Sequence, residues 1–281
     1  MMKFDSNRAW LDAIAAVSAN RHVLLAVAGV FFLLPTLLST VFVSDVQAQM
    51  LQSVGKPKVF EAIFSSHAGL FLAFGIGGLL VQGVGYLTVM ALLSDRGRPT
   101  VGEAIKVALR ALPTLIGTVL LTMAGLTAAF IVVGVALGGL IGLVAGTGVA
   151  SVLAAIALMV AMVYVSVKLS LVVPVVINEG IGNPMAAMVR SWQLTRHNSL
   201  RLLGFFLLLM IGYLVIAFMV TVVVVGPAAM LMGEGRALTL LAGVVSGALG
   251  AVSNVILIAV LAYTHRQFAG PSARTISQTF E

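Results

Sequence analysis

The sequence predicts an all-α, polytopic membrane protein with six transmembrane helices, on three observations. Of its 281 residues, 60% are hydrophobic and only 9% charged, against roughly 25% charged in an ordinary soluble domain. Mean hydropathy is +1.14. The apolar residues fall in long blocks, not in the short alternating segments of an outer-membrane barrel. A water-soluble globular fold and intrinsic disorder are thereby excluded. Cysteine is absent, which excludes disulfides, thiolate metal sites and a thiol nucleophile together.

A hydrocarbon core about 30 Å thick takes about 20 apolar residues at 1.5 Å rise each. Val23 to Val43 and Gly69 to Leu93 meet that length and are bounded by polar residues. No charged residue occurs between Leu112 and Val167, too long a run for one helix, so a hairpin is expected with Gly146-Thr147-Gly148 at its turn. Spans three and four are then Pro113 to Leu143 and Ala150 to Ile177, followed by Leu202 to Val225 and Thr239 to Thr264. Val46-Gln47-Ala48 offers a small-residue cleavage site after span one. The preceding apolar region is longer than the roughly 7–15 residues of a secretory signal core and has Asp5 and Asp12 ahead of it, so the first helix is expected to be retained.

Basic residues fix the expected orientation, because short loops rich in Lys and Arg stay cytoplasmic. One side of the six-span arrangement holds 12 of them: Lys3, Arg8 and Arg21, then Arg96, Arg98, Lys106 and Arg110, then Arg190, Arg196 and Arg201, then Arg266 and Arg274. The other side holds 3, Lys56, Lys58 and Arg236. Both termini are therefore expected to be cytoplasmic. The net charge of +7 reads as loops facing anionic lipid, with no nucleic-acid partner implied.

A short amphipathic stretch precedes each odd-numbered span. Aligning Asp12-Ala13-Ile14, Glu103-Ala104-Ile105 and Ala186-Ala187-Met188 gives offsets of 91 and 83 residues. This predicts three repeats of one interfacial helix plus two spans, over about 6–93, 100–177 and 183–264, within a single membrane domain that ends in a cytoplasmic tail at 265–281. Thr100 and Glu103 have the spacing of a capping box, and Asn183-Pro184 reads as a cap followed by proline at the first helical position. The expected apolar stripes are Trp10, Ile14 and Val17; Val101, Ile105, Ala108, Leu109 and Leu112; and Met185, Met188, Val189 and Trp192. These helices either lie in the headgroup layer, with Trp10, Lys106, Arg110, Arg190, Trp192 and Arg196 contacting lipid headgroups, or are connectors packed on the bundle.

From Lys168 to Gly212 the chain reads KLSLVVPVVINEGIGNPMAAMVRSWQLTRHNSLRLLGFFLLLMIG. This resembles the glycerophosphoryl diester phosphodiesterase membrane-domain family. The matching positions are Lys168, Pro174, Glu179, Gly180, Ala187, Ser191, Trp192, Leu194 and Thr195, and RPTVGEAIKVALRALP from Arg98 to Pro113 resembles the family's earlier interfacial helix. The resemblance implies a bacterial inner-membrane helical domain. The phosphodiesterase activity of fused relatives would belong to a separate soluble domain, which this sequence does not contain. His22, His67, His197 and His265 are scattered and form no metal-binding pair at helical spacing, and no cofactor is expected.

Ionisable groups in hydrocarbon are costly, so Lys168 calls for an explanation. It lies about nine residues, or about 13 Å of helix, from the cytoplasmic end of span four. It is expected either to meet a headgroup or substrate in a polar cavity or to cap carbonyls of a broken helix. Gln82 and Asn254 complete the candidate intramembrane polar set, and as amides they would also serve as interhelical glue. Pro35 and Pro174 are expected to kink their spans. Gly134, Gly138, Gly142 and Gly146, and the pair Gly243 and Gly247, are expected to permit close helix packing. No span so drawn contains a carboxylate, and no acid, base and nucleophile set for an intramembrane lipid enzyme is visible. The preferred expectation is a non-enzymatic envelope protein that interacts with lipid or scaffolds a protein partner or a second copy. The alternative is a transporter or channel using a polar site around Lys168.

Overall fold

A computed structural model describes residues 4–94, 99–145, 147–233 and 235–270, with the backbone alone for 137–145, 147 and 150. The structure is 90% helical, and no strand occurs among the described residues. The helices are α1 (Ser6–Ala19), α2 (Arg21–Gln52), α3 (Pro57–Ser66), α4 (Ala68–Leu92), α5 (Val101–Ala145), α6 (Thr147–Leu169), α7 (172–179), α8 (Pro184–Thr195), α9 (Ser199–Met232) and α10 (Arg236–Ala269). Six segments are long and apolar enough to cross a membrane: α2, α4, α5, α6 with α7, α9 and α10. The chain is a multi-pass helical membrane protein.

Local chemistry sets the helix starts. Asp5 accepts from the Arg8 N–H at 3.0 Å to cap α1. At α5, Thr100 N–H donates to Glu103 at 2.8 Å and Glu103 N–H donates to the Thr100 hydroxyl at 3.4 Å, which is the expected capping box. Asn183 accepts from the Met185 and Ala186 N–H groups to start α8. The boundary between α5 and α6 falls between Ala145 and Thr147, where the hairpin turn was expected; Gly146 itself lies outside the described residues.

Prolines shape the spans. A π-helical turn at Gly29–Leu33 precedes Pro35, and another at Thr221–Val225 precedes Pro227. At Pro174 the span breaks before the proline and continues as a π turn, Val175–Glu179. A proline has no N–H to offer the carbonyl four residues earlier, so the ladder widens or breaks there. Pro113 lies inside α5 without such an interruption.

The helix ends differ from the expected spans in one important way. The second amphipathic stretch is not a separate interfacial helix, since α5 runs for 45 residues without a break, about 67 Å of helix. Glu103 to Leu112 holds no glycine or proline, and the helix runs on through Pro113 at the junction with the span. The first and third stretches do break, at Asn20 and across 196–198. The spans also reach further than the apolar blocks: Asp45 rides on α2 and Glu179 closes α7. Carboxylates therefore sit at span ends. His265 and Arg266, expected in a tail, belong to α10, and 271–281 lie outside the described residues.

Helix α10 is the axis of the bundle, packed against α1, α2, α4, α8 and α9. Gly243 and Gly247 permit its approach to α2: a Cβ at Gly243 would fall 2.6 Å from Thr40, and one at Gly247 would fall 2.9 Å from Leu33. Gly85 similarly lies against Phe31. The expected stripe on α5 behaves differently, since a Cβ at Gly134 would meet nothing within 4 Å. The surroundings of Gly138 and Gly142 lie outside the described residues.

The buried core gathers at one end, around Leu87–Ala91 of α4, Val255–Ala262 of α10, and α1. Both described ends of the chain meet there. The Asp5 N–H donates to Gln267 at 3.1 Å, Gln267 Nε2 donates back to the Asp5 carbonyl at 3.0 Å, and the Phe4 and Phe268 rings lie 5.7 Å apart. Elsewhere the spans expose leucine, valine and methionine, which costs nothing against hydrocarbon.

Candidate functional site

The richest polar constellation forms where α6 breaks into α7 and turns back through α8. Ser170 N–H reaches the Val167 carbonyl in a tight turn at 3.4 Å, ending the regular ladder of α6. The Lys168 carbonyl thereby loses its helical donor. Ser191 donates to it at 2.7 Å and Thr195 at 3.4 Å, both from the buried face of α8. Gly180 then takes φ +74° to end α7, a left-handed conformation that glycine adopts without penalty. Thr114 of α5 donates to the Gly182 carbonyl at 2.8 Å, and Gly117 lets Pro184 seat closely on α5.

The inward face of α8 is therefore small: Ala187, Ser191 and Thr195 are fully buried. Its expected apolar stripe faces the other way. Met185, Val189 and Trp192 are exposed, and with Met188 they form one wall of an open apolar groove of about 470 Å³ whose other walls come from α5 and α6.

Lys168 is only 3% exposed. Its Nζ lies 5.5 Å from the Tyr164 ring centroid and 5.3 Å from that of Trp192, and the two rings meet edge to face. Cation–π attraction offsets part of its desolvation. Among the described residues no carboxylate pairs with Lys168, and its electrostatic neighbour is another cation, Arg196. It is Lys168's backbone that anchors the broken helix, while its amine lies beside two aromatic rings with no acidic partner among the described residues.

On the other side of the turn, Glu179 joins three elements. It accepts from Arg190 Nε of α8 at 2.8 Å and from His265 Nε2 of α10 at 3.0 Å. With Nε2–H donating to the carboxylate, His265 Nδ1 is the acceptor facing Asn178 Nδ2 at 3.5 Å. Two residues before His265, Tyr263 lies under the Arg266 guanidinium, which also donates to the Leu93 carbonyl just beyond α4. Asn178 Oδ1 and Thr264 Oγ1 are buried with no hydrogen-bond partner among the described residues.

The expected site residues are thus distributed over three places. Gln82 is exposed on α4, in a mainly apolar groove of about 620 Å³ whose polar lining it shares with Thr36, Ser39, Thr40, Ser44 and Gln47 of α2. Asn254 donates to the Gly250 carbonyl of its own helix at 2.9 Å, so this bond is intrahelical and not interhelical glue. No hydrogen bond joins either amide to Lys168 among the described residues. Of the expected headgroup contacts, Lys106, Arg110, Trp192 and Arg196 are exposed, Trp10 packs against the core, and Arg190 is held by Glu179. His265, Asn178 and Thr264 were not legible as site residues. His265 lies 86 positions from Glu179, and no local spacing links them.

Fold and site together define a multi-pass, all-helical membrane protein with a polar elbow at the end of its fourth span. No family model, no curated protein and no solved structure matches the chain.

Proposed function

We propose that this is a non-enzymatic protein of the bacterial inner membrane, both termini cytoplasmic, that engages membrane lipid in the cell envelope. The observation that carries the reading is Lys168: a nearly buried cation, flanked by two aromatic rings and Arg196, with no acidic partner among the described residues. Such a group attracts an anion, and beneath an interfacial helix the anion at hand is a lipid headgroup. The outward apolar stripe of α8 supports the same reading, because a helix with an apolar outer face suits the acyl boundary. The 12-to-3 distribution of basic residues supports the orientation.

Resemblance to the glycerophosphoryl diester phosphodiesterase membrane-domain family supports membership in a related group. Its motif positions have distinct jobs in one elbow: Pro174 at the break, Glu179 in the ion pair, Gly180 at the turn, Ser191 and Thr195 on the freed carbonyl. A three-unit repeat is supported by the aligned alanines, since Ala13, Ala104 and Ala187 are each fully buried.

The sequence has two tryptophans, which allows a direct test. With Trp10→Phe leaving Trp192 as the sole reporter, quenching by brominated phosphatidylglycerol should exceed quenching by brominated phosphatidylcholine. Lys168→Gln with Arg196→Gln should equalise the two. Equal quenching before those substitutions refutes the reading. A transporter or channel is the second reading, favoured by the groove between α2 and α4, which carries Gln47 and Gln82 among apolar walls beside the π turn at Gly29–Leu33. It predicts solute flux in proteoliposomes that Gln82→Leu reduces.

A further inference from the structure

The groove beside Trp192 and the charge behind it suit one molecule. The groove is walled by Leu121, Gly125 and Ala129 of α5, Ala161 and Val165 of α6, and the outward stripe of α8. From Leu121 to Ala129 it runs along two turns of helix, about 12 Å, from the level of α8 into the apolar part of the spans. Its lining is almost wholly apolar. Nothing within 4 Å would meet a Cβ at Gly125, so the groove floor is open at that point. Trp192 is the common wall: it lines the groove, and its ring centroid lies 5.3 Å from Lys168 Nζ.

We infer that this groove and the Lys168–Arg196 pair form a single site for an anionic phospholipid, with one acyl chain in the groove and the phosphate between the two cations. The inference rests on the lipid reading above and adds to it the ligand class and the seat of its chain. Charge complementarity selects the occupant. Two basic side chains without a carboxylate partner among the described residues accept a phosphate monoanion, whereas a zwitterionic lipid brings its own cation to a site already positive. The groove contributes little preference between lipids, because a chain leaving it enters equally apolar surroundings. It holds the chain by dispersion and fixes where the headgroup falls.

The test uses the full chain in mild detergent, with bound species read by native mass spectrometry against phosphatidylglycerol, phosphatidylcholine and glycerol 3-phosphate. Phosphatidylglycerol should be retained about tenfold over phosphatidylcholine, the low end of what a charge-assisted hydrogen bond contributes, and glycerol 3-phosphate should not be retained. Lys168→Gln should abolish the preference. Gly125→Leu, or Ala129→Leu if the first variant misfolds, should lower retention of both lipids while leaving their ratio unchanged. If the groove variants retain lipid as the parent does while Lys168→Gln still removes the preference, the headgroup reading survives and the groove is overturned. Retention of glycerol 3-phosphate to the level of phosphatidylglycerol marks a free-phosphate site and overturns the inference. No preference in the parent protein overturns both.

Discussion

Glu179 holds the elbow to the bundle through two bonds of different worth, and a pair of double-mutant cycles separates them. Its bond to Arg190 joins side chains that are 38% and 23% exposed, so solvent screens it and a coupling of about 0.2–1 kcal/mol is expected. The bond to His265 reaches a side chain only 4% exposed. A hydrogen bond to a charged group so placed contributes about 1.5–3 kcal/mol. The cycle of Glu179→Ala with His265→Ala should therefore give a coupling of about 2 kcal/mol, and that of Glu179→Ala with Arg190→Ala less than half of it. Unfolding in mixed micelles, titrated with denaturing detergent and followed by circular dichroism, supplies the four free energies of each cycle. A His265 coupling within the ~0.5 kcal/mol that independent sites show, or a larger coupling on the Arg190 arm, refutes the reasoning.

Further outcomes follow from the same contacts. Ser191→Ala leaves the Lys168 carbonyl with only the longer Thr195 bond and should cost about 1 kcal/mol; adding Thr195→Val should raise the loss to about 2 kcal/mol, read from the same unfolding titration. Gly243→Leu forces a side chain into Thr40 of α2 and should destabilise by about 1–3 kcal/mol. Gly250→Ala, where a Cβ meets nothing within 4 Å, should not lower the unfolding midpoint, since alanine is the better helix former. Because the sequence lacks cysteine, single substitutions report topology: Arg8→Cys and Arg201→Cys should react with an impermeant maleimide from the cytoplasmic side, and Lys58→Cys from the opposite side. Labelling of Arg8→Cys and Lys58→Cys from the same side contradicts the six-span arrangement.

Much of the architecture was legible because a span is a local property. Twenty apolar residues in a row are visible without knowing what they pack on, and the capping residues Thr100, Glu103 and Asn183 act within one turn of themselves. Helix continuity was less legible. Pro113 stands at the junction between the second amphipathic stretch and span three, yet α5 runs through it and the stretch is the first part of the spanning helix. The direction of an amphipathic face was also hidden. In α8 the sequence pattern marks Met185, Met188, Val189 and Trp192 as one stripe, but in a membrane an apolar stripe faces lipid as readily as protein. The small face, Ala187 with Ser191 and Thr195, packs inward because it alone lets α8 approach the broken carbonyl of Lys168.

By itself the sequence determined the solvent of this protein, its six crossings, the absence of thiol chemistry and the one lysine that a span must accommodate. These are sums over neighbouring residues, and hydrophobic length is sufficient to set them. Tertiary structure alone decided which polar groups meet. Glu179 and His265 lie 86 positions apart and touch at 3.0 Å, while Gln82, Lys168 and Asn254, alike in being polar within spans, go to separate places. Where a bilayer leaves helices no hydrophobic reason to choose one neighbour over another, the choice falls to glycine contacts such as Gly243 on Thr40 and to a carbonyl freed where a helix breaks, as at Lys168, and neither partner can be read from its own segment.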